Sequence, residues 1–141
     1  MQSRKWLIVA SAVLLAGGLS WLAKIAVIVG TDGRVMTTGP AALLMSAGLI
    51  LLGLGAAGLG AWLARRKHVV VRLLAAVAGV AALAACSVAL GMGASAFARG
   101  RGPAYWVEEA GILAAGLLWS AVGALALVGA RRGSATGATL A

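Results

Sequence analysis

The chain of 141 residues has one cysteine, one histidine, two prolines and three acidic side chains, set against twelve lysines and arginines. The lone Cys86 excludes an intrachain disulfide and a CxxC redox pair, and with them chemistry of the vitamin K epoxide reductase kind. It reads as a small packing residue within an apolar run. His68 stands in a basic joint with no second ligand nearby, the setting of a solvated loop side chain and not of a metal or haem ligand. Intramembrane proteolysis needs paired aspartates, a Ser/His pair or a zinc motif, and the apolar segments carry none of these. HExxH, GxSxG, a Walker loop and a Cys/His cluster are missing as well. No enzyme activity, cofactor or metal is therefore expected. Charged residues make up 11% of the chain, far below what a soluble surface requires, and at 62% hydrophobic the chain cannot be disordered.

What the chain does have is four long apolar stretches, at about 6–30, 40–64, 70–98 and 104–130. A helix rises about 1.5 Å per residue and the hydrocarbon core is about 30 Å thick, so each stretch suffices for one crossing. The expected fold is all-α: an integral membrane four-helix bundle over residues 1–132, with no soluble domain. The Gly/Ser/Thr/Ala segment 133–141 is expected to form a disordered cytoplasmic tail. Arg4 and Lys5 followed by Trp6 to Ala16 resemble the start of a signal peptide. The apolar run continues to Gly30 without a clean A-x-A site, which favours a retained signal anchor.

The basic residues set an orientation. Arg4, Lys5, Arg65, Arg66, Lys67, Arg72, Arg131 and Arg132 fall on one side of the four crossings, and Arg34, Arg99 and Arg101 on the other, diluted by Asp32, Glu108 and Glu109. By the positive-inside rule both termini are cytoplasmic. The net charge of +9 then reads as attraction to anionic lipid, not to nucleic acid. Trp6 and Trp62 fall at the inner interface, Tyr105 and Trp106 at the outer one. Thr37, Thr38 and Asp32 read as turn and cap residues. Pro40 and Pro103 open the second and fourth spans, where a missing N–H leaves nothing unpaired. The repeated Gly-Pro-Ala openings fit either two tandem hairpins or the common form of any outside-to-inside span. Ala-, Gly- and Arg-heavy usage resembles that of high-GC bacteria, which places the chain in a bacterial plasma (inner) membrane as a multi-pass protein.

In lipid no hydrophobic drive holds helices together, so small residues must allow close approach. Pairs at spacing four are plentiful: Gly53/Ala57, Ala56/Gly60, Ala75/Gly79, Ala89/Gly93, Gly91/Ser95 and Gly116/Ser120. Lys24 is the one basic residue well inside a span, about 27 Å beyond Trp6 and so near the outer edge of the hydrocarbon. Its helical neighbours Gly17, Ser20, Val27, Ile28 and Thr31 form a small, partly polar face that points into the bundle. Glu109 lies at matching depth on a face that continues as Leu113, Gly116, Ser120 and Gly123. Glu108 continues as Ile112, Ala115, Trp119 and Val122, a bulkier face expected to meet lipid. Lys24 has three readings. It snorkels to the outer headgroups while the glutamates stabilise the start of the fourth helix, it forms a structural ion pair with Glu109, or the pair lines a polar cavity for a proton, an ion or a small substrate.

Two functions follow. The first is a structural or accessory membrane protein acting through the lipid bilayer, another membrane protein, or self-association by small-residue helix faces. The second is a small oligomeric transporter or channel using the Lys24–Glu109 site, with Glu108 beside it, near the outer leaflet. In size and span number the chain is similar to small multidrug resistance transporters. The similarity is architectural, because those carry an essential glutamate in the first helix where this chain carries Lys24. Four-helical fluoride channels insert in both orientations, which the strong charge bias disfavours. No family is assigned.

Overall fold

The computed structural model describes residues 2–138, with side chains over residues 4–132. Four helices occupy nearly all of it: α1 (Gln2–Gly30), α2 (Gly39–Leu63), α3 (Val69–Ala98) and α4 (Ala104–Ala138). Their apolar windows have mean hydropathies of 2.1, 2.1, 2.4 and 2.1, and each is long and apolar enough to cross a membrane. Helix is the form such runs must take in lipid, because an unpaired backbone N–H or C=O there costs several kcal/mol. The architecture is compatible with a multi-pass membrane protein. The helices coincide with the four apolar stretches to within a few residues, and α4 runs on past Arg132 to Ala138, into the segment expected to be irregular. Residues 139–141 of that tail lie outside the described residues.

The helices run up and down in a ring, α1 beside α2 and α4, with α3 closing the far side between α2 and α4. One end of the bundle, the terminal end, holds the start of α1, the 64–68 joint and residues near Arg131. There Arg4 Nε donates to Ala130 O at 2.9 Å. The opposite end, the loop end, carries the 31–38 and 99–103 connections. The α1–α2 connection closes with a Schellman turn. Asp32, at φ 51°, donates its N–H to Val29 O, and Gly33 N reaches back to Ile28 O at 2.9 Å. Gly33 itself has φ 76° and lies under the Tyr105 ring, so the site needs both left-handed backbone and no Cβ.

Close approach centres on α1. Gly17 and Gly18 are adjacent but face different neighbours. A Cβ on Gly17 would stand 2.7 Å from Leu52 N of α2, and one on Gly18 would stand 2.6 Å from Ser120 N of α4. The tandem glycines thus let two helices touch α1's backbone at one level. Further down α1, Gly55 of α2 meets Leu14 and Gly123 of α4 meets Leu15. The core has contributions from all four helices: Leu14 and Trp21, Leu52 and Ala56, Leu83, and Ala115.

α3 is placed differently. It buries only Leu83 among its described residues. Its first half touches α2, with Gly79 against Ala56 and Gly60 against Ala75, whereas in its second half Gly91 lies against Gly111 of α4. It therefore crosses the bundle face diagonally. Of the expected small-residue pairs, Ala56/Gly60 meets Ala75/Gly79, Gly91 meets α4, and Gly116/Ser120 meets α1. Gly53 and Gly93 have open space beside them and take no part in the packing.

Gly18→Leu should destabilise the bundle by about 1–3 kcal/mol through overpacking at the α1–α4 contact. Gly53→Leu should leave stability nearly unchanged. Midpoints of detergent-titration unfolding, followed by circular dichroism, check both; equal losses would contradict the close α1–α4 approach.

Candidate functional site

Lys24 and Glu109 stand on adjacent helices because α4 enters from the loop end, toward which the last turns of α1 run. Lys24 Nζ donates to both Oε1 and Oε2 of Glu109, each at 2.7 Å. Lys24 is 4% exposed and Glu109 5% exposed, so the pair is shut inside the bundle. Neither residue lines any of the described cavities. A charge-assisted, two-oxygen contact of this kind satisfies both carboxylate oxygens. The pair therefore meets the geometry of the structural reading, and Lys24 does not snorkel outward. Its neighbours contribute too: Ser20 Oγ donates to Leu44 O at 2.9 Å and Trp21 Nε1 donates to Met45 O at 3.3 Å, tying α1 to two successive carbonyls of α2. Thr31 caps the same helix locally, its hydroxyl donating to Val27 O at 2.9 Å.

Glu108 corrects one expectation. Its face of α4 does not meet lipid along its length. Glu108 itself is exposed, but Ala115 is fully buried, and Ile112, Trp119 and Val122 pack against the core. The reason is that a helix in a ring has two neighbours. The small face with Glu109, Gly116 and Ser120 packs on α1, and the bulkier face then turns towards α3. Trp119 supplies the polar contact there, with Nε1 donating to Ser87 Oγ at 2.9 Å. An indole N–H within a bundle needs such an acceptor. Glu108 lies at the edge of a cavity of about 250 Å3 that Ser87, Ser95, Gly91 and Trp21 also line. The structure thus brings Lys24 and Glu109 together and leaves Glu108 outside the pair, facing α3.

Sequence reasoning passed over Trp21 and Trp119 as core residues. A signal for Trp21 exists: it lies seven residues after Leu14 and three before Lys24, on the inward face, and its ring covers Gly48 of α2. Trp119 carries no comparable mark, because Leu117, Leu118 and Val122 beside it in sequence make an apolar run with no charged residue to separate an inward face from an outward one. Among the described residues no group of His, Cys, Asp and Glu could hold a metal ion. At the helix ends arginines bond the final carbonyls. Arg65 Nη1 donates to Trp62 O with its guanidinium 4.1 Å from the Trp62 ring centroid, and Arg101 does the same with Phe97 at 4.0 Å. The chain matches no protein-family model, no curated protein and no solved structure; its own geometry carries the functional argument.

Removing one partner of the pair strands a buried charge, a loss of about 3–5 kcal/mol. Lys24→Leu and Glu109→Leu should each lower the unfolding midpoint strongly, and the double variant should recover much of it. A double variant as unstable as the sum of the two singles would remove the structural role.

Proposed function

We propose that the protein is a structural, non-enzymatic accessory of the membrane, working by contact with another membrane protein or with lipid, and that α3 supplies the contact face. One observation carries this reading. α3 buries a single side chain, yet Ala81, Ala85, Ala89 and Gly93 lie exposed in a row at spacing four along it. Lipid offers no reason to line an outward face with such small residues, whereas an approaching helix does. Self-association through the same row is the homomeric form of this reading. The location proposed is a bacterial plasma membrane with both termini cytoplasmic, supported by the eight bases gathered at the terminal end.

The transport reading has less support. Lys24 engages both oxygens of Glu109, and neither residue lines a described cavity through which a proton, ion or substrate could reach them. Flux assays in liposomes for protons, halides and lipophilic cations test it directly, and movement of any of the three would restore it.

A photo-crosslinking residue placed at Ala85 should capture a partner or a second copy in native membranes. The same residue at Leu54, exposed on α2, should capture far less. No adduct at Ala85 would refute the contact face. For orientation, Lys67→Cys in a Cys86→Ala background should resist an impermeant thiol reagent added to intact cells and react after lysis. Labelling from outside would invert the assignment.

A further inference from the structure

The diagonal course of α3 opens a wedge near the terminal end, a cavity of about 580 Å3. Leu14, Leu59, Trp119 and Val122 line its deep part and Ala78 and Ala82 its α3 wall, while Lys67 stands at its terminal-end margin. Every lining side chain except Lys67 is apolar or small. From Val71 to Ala82, both on the α3 wall, the helix rises roughly 16 Å, about half the hydrocarbon thickness. The cavity therefore has the depth of a single leaflet, with a cation at headgroup level and apolar walls below it.

Charge selects the headgroup. Arg65, Arg66, Lys67 and Arg72 cluster at the joint beside this margin, and all three acidic residues of the chain lie towards the loop end. The Lys67 ammonium has no side-chain partner among the described residues. A bound molecule must offer an anion at Lys67 and a long apolar chain below it. We propose that this wedge is a binding site for an anionic phospholipid, one acyl chain lying between α3 and α4 against Leu14 and Trp119, and the phosphate accepting hydrogen bonds from Lys67. The small side chains Ala78 and Ala82 are what keep the space open. The site rests on the proposed reading that the protein works through its lipid- and protein-facing surfaces. It lies apart from the Ala85 row, so the two fail separately.

The test uses full-length protein reconstituted in phosphatidylcholine vesicles containing either acyl-brominated phosphatidylglycerol or acyl-brominated phosphatidylcholine. Quenching of Trp119 is read as the difference between wild type and Trp119→Phe. Bromine on the anionic lipid should quench Trp119 more than bromine on the zwitterionic lipid at equal mole fraction. Lys67→Gln should weaken that preference roughly fivefold, the worth of one basic group near the surface. Ala78→Phe should abolish quenching by both lipids while leaving helicity unchanged. Equal quenching by the two lipids would overturn the proposal. So would quenching by the anionic lipid that Lys67→Gln leaves intact. If Ala78→Phe fails to fold, native mass spectrometry of wild type against Lys67→Gln decides. Phosphatidylglycerol retained by wild type and lost from the variant supports the site, and equal retention or none refutes it. Crosslinking at Ala85 that persists after such a failure would show that the accessory reading stands without this lipid.

Discussion

Helices already surrounded by acyl chains gain little by hiding apolar surface from one another, so this bundle depends on how closely its backbones can come together. The adjacent glycines at 17 and 18 set that limit, since one admits α2 and the other α4. Everything on this side of the molecule follows from the short distance. Ser20 and Trp21 can reach carbonyls of α2, and Gly48 and Gly55 can receive Trp21 and Leu14. α1 is accordingly the most enclosed of the four helices and α3 the least.

The buried ion pair belongs to the same frame. A lone lysine at the bilayer centre costs roughly 2.5–3.5 kcal/mol on insertion scales, and less toward the interface. Glu109 offsets part of that penalty where α1 and α4 are already held together by Gly18, Gly116 and Ser120. What the pair adds is specificity: a one-turn slip of α4 past α1 would carry the carboxylate away from the ammonium and leave both charges unpaired. Close packing sets how near the helices lie, and the pair joins them at one level.

Much of this was readable in the residues. The four apolar helices stand out because the chain is so poor in charge, and Lys24 and Glu109 could be matched because so few ionisable groups occur within them. Where Ala and Gly are mixed with Val and Leu on every face, as in α3 and the middle of α4, no stripe separates inside from outside, and the diagonal path of α3 leaves no trace in composition. The assignment of the Glu108 face to lipid failed for that reason: bulk along Ile112, Trp119 and Val122 looked like an outer surface, whereas the ring turns it towards α3. The helical continuation of α4 to Ala138 likewise runs against local propensity, since Gly, Ser and Thr are poor helix formers.

The partners of the central ion pair are 85 residues apart in sequence. At ribosomal speeds of about 5–20 residues per second, Lys24 is made on the order of ten seconds before its counterion. For that interval the first helix carries an uncompensated ammonium, which a long flexible side chain can hold towards water. Arrival of the fourth helix supplies Glu109, whose two oxygens accept from that ammonium in the folded bundle. The fourth helix thus completes the first, and until it emerges the α1 face that carries Lys24 stays open.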